Sequence, residues 1–197
     1  MKLEQDFYQR EDVERIAREL LGKILFTNFD EKITSGIIVE TEAYAGITDR
    51  ASHAWNGRRT KRTEIMYRTG GTAYVYLIYG IHSLFNVVTN REDIPHAVLV
   101  RAIEPIDGIQ IMLQRRNLTK KQKNISGGPG LLSQALGIKT QHSGLSLLDG
   151  SIWIEDRNIN ISEKKIASGP RIGVDYAGDG ALLPRRYWIK DNPWVSR

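Results

Sequence analysis

A chain of 197 residues, 41% hydrophobic and 26% charged, has enough apolar material for one full core and is too short for two comfortable domains. Its 28 Lys and Arg against 23 Asp and Glu give a formal net charge of +5, which favours a polyanionic partner, and its ordinary hydrophobic content excludes a disordered chain. The absence of cysteine removes disulfides, thiolate metal sites and thiol nucleophiles together, and His53, His82, His96 and His142 lack close ligand spacing, so no metal or other cofactor is expected.

No apolar run approaches the ~20 residues of a spanning helix, and residues 1–6 lack the apolar centre of a signal peptide. A cytoplasmic location is expected, nucleoid-associated if the source is bacterial. In chain order, residues 11–21 place Val13, Ile16, Ala17, Leu20 and Leu21 at helical spacing, with Gly22 as the stop. Residues 23–28 and 34–42 read as a hairpin around Asp30, Glu31 and Lys32. Its second strand is unusual, because Ile37, Ile38 and Val39 run straight into Glu40, Thr41, Glu42, Ala43 and Tyr44. Alternation puts Glu40 and Glu42 on one face and Val39 and Thr41 on the other, so the acids are either edge decoration or chemistry.

Residues 45–63 form a polar connection carrying Arg58, Arg59, Lys61 and Arg62, longer than structural economy requires. A tyrosine-rich strand over residues 72–79 ends at Tyr79 and a turn at Gly80; residues 83–89 return beside it, and residues 97–103 supply another strand. These predict a curved antiparallel sheet. Asp107 is placed to cap a helix through Arg116, with Ile109, Met112 and Leu113 on one face. Residues 126–130 break the chain before a short helix over residues 131–136, and short strands and turns follow from Ser151. Arg115, Arg116, Lys120, Lys121 and Lys123 make a second basic cluster. With no repeat, low-complexity tract or linker, residues 1–197 read as a single domain of mixed α/β (α+β) class, its sheet surrounded by helices.

Several blocks together carry a resemblance. They are Val39-Glu40-Thr41-Glu42-Ala43-Tyr44, Ser52-His53, Tyr74-Val75-Tyr76-Leu77-Ile78-Tyr79-Gly80, Phe85-Asn86-Val87, the run from Val98 to Pro105, Gly127-Gly128-Pro129, Arg171-Ile172-Gly173 and Pro193-Trp194-Val195. In this order they resemble the alkyladenine (3-methyladenine) DNA glycosylases across nearly the whole chain. The resemblance implies a protruding β-hairpin and removal of alkylated or deaminated purines from double-stranded DNA by hydrolysis of the N-glycosidic bond. It implies Tyr79 as the intercalating residue, and Tyr44, His53, Tyr76, Asn86 and Leu99 as the base pocket, with Asn86 excluding the exocyclic amine of guanine. It further implies Glu42 as general base, with Arg101 and the carbonyl of Ile172 orienting the attacking water. Glu40 is taken as structural, and Arg58, Arg59, Lys61 and Arg62 as DNA-backbone contacts. No lysine occupies a nucleophile's place in these motifs, so a monofunctional enzyme that leaves an abasic site is expected. A monomer with no obligate protein partner and no membrane association is expected. Two other readings compete: a metal-dependent nuclease using Glu40, Glu42 and Asp49, and a non-catalytic RNA-binding module using basic charge and exposed aromatics.

Overall fold

The alternating residues 24–44 become a long hairpin in a computed structural model that describes residues 1–120 and 125–196. Strands β1 (Ile24–Phe29) and β2 (Lys32–Tyr44) pair antiparallel, with Ile24 opposite Ile37. The other strands are β3 (Ala73–Ile78), β4 (His82–Thr89), β5 (His96–Pro105), β6 (Ile152–Glu155), β7 (Ile166–Gly169) and β8 (Arg186–Ile189). Among the described residues they form one curled antiparallel sheet in the order β3-β4-β5-β2-β1-β6, with β7 joined through β8 to β2. Because β2 outruns β1, its far half is free to pair with β8 over Glu40, Thr41 and Glu42, while β5 pairs along its other edge.

Helix α1 (Gln5–Tyr8) precedes α2 (Val13–Glu19), which is shorter than the predicted residues 11–21 because Asp12 caps it, accepting the Arg15 N–H at 2.9 Å. Val13, Ile16, Ala17 and Leu20 bury the apolar stripe of α2 against the sheet. Thr41 faces the same way, its hydroxyl donating to the Ala17 carbonyl at 2.8 Å. Glu40 and Glu42 therefore sit on the face turned away from α2, as strand alternation requires.

Helices α3 (Ile109–Arg115) and α4 (Pro129–Leu136) follow, α4 packing on β4 and β5. Asp107 does not cap α3. The cap is Gly108, left-handed at φ 70°, where a Cβ would come within 2.3 Å of the Ile33 carbonyl oxygen. The sharp bend under β2 leaves Asp107 outside the helix, and its carboxylate accepts from the Ser35 hydroxyl at 2.6 Å. Lys121 and Lys123 of the second basic cluster lie outside the described residues. No described helix is long and apolar enough to cross a membrane.

Candidate active site

Flanked by β5 on one side and β8 on the other, Glu40 and Glu42 are interior residues of the sheet with no solvent exposure. Buried carboxylates persist only when paired and hydrogen-bonded. The pairing register is irregular on both sides of Glu40, and there Arg101 of β5 serves both acids: Nε donates to Glu40 Oε1 at 2.9 Å and Nη1 lies 3.0 Å from Glu42 Oε1. Glu40 is further held by Arg186 Nε at 2.6 Å and by the Ser196 amide and hydroxyl at 2.7 and 2.9 Å.

Glu42 has three polar partners among the described residues. Oε1 accepts the Ile172 backbone N–H at 2.9 Å and is ion-paired with Arg101 Nη1 at 3.0 Å; Oε2 accepts the Tyr44 hydroxyl at 2.7 Å. Ile172 thus meets the acid through its amide, a different group from the carbonyl expected to orient the attacking water. Burial, then the neighbouring charge of Glu42, push the Tyr44 phenol well above its usual range, so it remains a protonated donor. A carboxylate offers about four lone-pair positions. Hydrogen bonds take one on each oxygen, from Ile172 and from Tyr44.

In front of these partners lies a cavity of about 480 Å³, within the range of small-ligand sites. Tyr44, His53, Tyr76, Asn86, Leu99, Arg101 and Ile172 all line it, so nearly every residue singled out from the sequence for catalysis or base binding meets here. Glu42 is the exception. Its carboxylate lies one side chain behind the wall, screened from the cavity by the donors that hold it.

The aromatic wall is built from β3 and the loop before it. His53 packs edge-on against Tyr76 at 4.6 Å between centroids, and Tyr74 lies 5.5 Å from Tyr76 at 35°. His53 Nδ1 is 2.9 Å from the Tyr74 hydroxyl, which is buried and has no other acceptor among the described residues. Were Nδ1 protonated, the phenol proton would be stranded; the arrangement that satisfies both groups has Tyr74 donating to Nδ1 and the ring proton on Nε2. Burial, then the positive charges of Arg62 and Arg58, push the His53 imidazole down to about 4, leaving it neutral near pH 7. Asn86 is locked by its amide group, which donates to the Tyr74 and Leu84 carbonyls at 3.2 and 3.3 Å.

At the cavity rim the β3–β4 reversal puts Tyr79 and Gly80 at φ 53° and 72°, the consecutive positive values of a primed hairpin turn. A tyrosine there is strained by roughly 1–2 kcal/mol, yet it is 86% exposed. Arg58, Arg59, Lys61 and Arg62 are all exposed on the neighbouring loop. Among the described residues, Arg58, Lys61 and Arg62 make no ion pair, whereas Arg59 is bound to Glu64 at 2.8 Å and Asp93 at 2.7 Å.

Sequence reasoning did not single out Tyr74, Arg186 or Ser196, whose partners are distant along the chain. Asp49, weighed with Glu40 and Glu42 as a third metal-binding oxygen, is gripped by both terminal nitrogens of Arg171. All three acids are therefore paired with arginine, which is the wrong environment for a cation-binding nuclease centre.

A family model for methylpurine-DNA glycosylase matches residues 6–193. A protein from Bacillus cereus strain G9842, provisionally named 3-methyladenine DNA glycosylase, is 47% identical over the full length of both chains. Proteins of the same provisional name from Chlamydia felis and Oceanobacillus iheyensis are 47% and 46% identical, covering 95% and 99% of this chain and 95% and 96% of their own. The chain belongs to the methylpurine-DNA glycosylase family.

Proposed function

We propose that this protein is a monofunctional DNA-repair glycosylase that extracts alkylated or deaminated purines from duplex DNA and hydrolyses the N-glycosidic bond. The observation that carries this is an aromatic cavity whose back wall is made of the three polar partners of one buried glutamate. Extrusion of a base costs a few kcal/mol of stacking, and exposed Tyr79 beside the cavity is suited to fill the gap left in the helix. The purine then rests among Tyr44, Tyr76 and His53. A cationic alkylated base gains from the electron-rich rings, and neutral His53 does not repel it.

Glu42 removes a proton from water through Oε2. The water oxygen bonds to C1′, and the electron pair of the broken C1′–N bond departs with the base. General-base assistance of this kind is worth ~10² to 10⁴ in rate, and the carboxylate also stabilises positive charge developing on the sugar. Since Glu42 is closed to solvent, water reaches Oε2 only as the Tyr44 hydroxyl yields its place to the seated purine and its water. No lysine lines the cavity among the described residues, which supports a route without an imine intermediate or strand scission.

The test is incubation, in EDTA, with duplex oligonucleotides carrying 3-methyladenine, hypoxanthine, ethenoadenine or no lesion. Free base from at least one lesion and none from undamaged DNA, with strands cut only after alkali, is expected. Intact glycosidic bonds throughout, or strand cleavage without base release, would refute the reading.

A further inference from the structure

Asp49 and Arg171 have no part in the chemistry above, yet they lie directly behind it. Both side chains are fully buried. Arg171 Nη1 donates to Asp49 Oδ2 at 2.5 Å and Nη2 to Oδ1 at 2.9 Å, while Arg185 Nη1 approaches Oδ2 at 3.3 Å. Taking two ions out of water is unfavourable unless their partners are well placed, and here one donor, Arg171 Nε, is buried without a partner among the described residues.

What the pair ties together is specific. Arg171 Nη1 also donates to the carbonyl of Ala43, the residue between Glu42 and Tyr44, at 2.9 Å. Its guanidinium carbon lies 4.7 Å from the centroid of the Tyr44 ring. Asp49 accepts the Ala45 and Ala51 N–H groups, both at 3.1 Å, fixing the turn that leads from Tyr44 towards His53. The residue after Arg171 is Ile172, whose amide donates to Glu42 Oε1. Burial alone would raise the Asp49 carboxyl, but the Arg171 hydrogen bonds and charge outweigh it and hold it below the usual range.

We propose that the Asp49–Arg171 pair is a positioning device for the reaction: it holds the Ile172 amide on Glu42 and the Tyr44 ring against the cavity, and so governs the orientation and basicity of the acid. This rests on Glu42 being the base. An arginine is required because its planar fork reaches both Asp49 oxygens and the Ala43 carbonyl at once, which a lysine ammonium on a single stem does not.

The test uses Arg171→Lys, and the double substitution Asp49→Asn with Arg171→Gln, which leaves no buried ion unpaired should the first fail to fold. Single-turnover base release is followed from pH 5 to 9 beside affinity for abasic-site DNA. Release at neutral pH is expected to fall about 100-fold, with the acid limb of the profile displaced upward by about one pH unit and affinity within about threefold of wild type. A pair that merely stiffens the fold lowers the unfolding temperature and leaves the rate and profile of the folded variant on the wild-type curve. That outcome overturns the proposal while the glycosylase reading stands. Wild-type protein that releases no base would instead remove the reading, and this proposal with it.

Discussion

The far end of β2 and the tip of the β3–β4 hairpin lie at the same cavity and are built on opposite lines. At Glu42 the acid is sealed, held by three polar partners, and backed by Glu40, Arg101 and Arg186. At the hairpin tip Tyr79 is 86% and Ile81 74% exposed, and the tyrosine holds a left-handed backbone conformation. The first region has its charges paired before any ligand arrives, as electrostatic preorganisation demands, and only the Tyr44 hydroxyl has to move aside. The second is an apolar surface that gains a partner only on binding. Chemistry and capture should therefore fail independently.

Arg101→Leu should do the most damage, because it strips Glu40 and Glu42 of their shared counter-charge in the sheet interior. A loss on the order of 3–5 kcal/mol is expected by denaturant unfolding, together with loss of base release. Tyr79→Ser should leave the unfolding midpoint unchanged and weaken binding to abasic-site duplex about 10- to 100-fold, the worth of one aromatic stack. Equal effects of both substitutions on binding and on stability would erase the distinction between the two regions.

A smaller effect comes from His53. Its folded value of about 4 lies below the ordinary 6.5, so between these pH values the unfolded chain takes up the proton first. The resulting contribution to stability is complete above about pH 6.5 and is lost as pH falls towards 4. Unfolding midpoints at pH 7 and pH 5 should therefore differ more for wild type than for His53→Gln. The smallest expected change is in salt dependence: Lys61→Ala with Arg62→Ala should lower the slope of log affinity against log salt by about 1–2, one phosphate contact accounting for ~0.9. Arg59→Ala should change it least, because Glu64 and Asp93 already hold that guanidinium.

Period-two alternation is a local property, and what it encodes is readable: a hairpin of residues 23–28 and 34–42, the tyrosine strand, and both acids on the face opposite Val39 and Thr41. Partners far apart in sequence leave no such trace. The Asp49–Arg171 contact spans 122 positions, and the Arg186–Glu40 contact spans 146. The Tyr44 hydroxyl on Glu42 is close in sequence but depends on a side-chain direction that strand pattern does not specify, because two residues on one face can also point apart. Asp107 looked like a helix cap because its type and position suited one; the crowding of Gly108 against Ile33 that pushes it out of the helix is a tertiary constraint. Arg59 is expected from its loop to be a DNA-backbone contact like its neighbours, and the pairing with Asp93, 34 positions away, is a product of the fold.

The central claim is that Glu42, screened behind Tyr44 and held by Arg101 and the Ile172 amide, takes the proton from the attacking water. Single-turnover release of hypoxanthine or 3-methyladenine from duplex DNA by Glu42→Gln, with abasic-site affinity measured on the same preparation, addresses it directly. Release slowed by ~10² or more with affinity retained is the expected result. Release at the wild-type rate would contradict it.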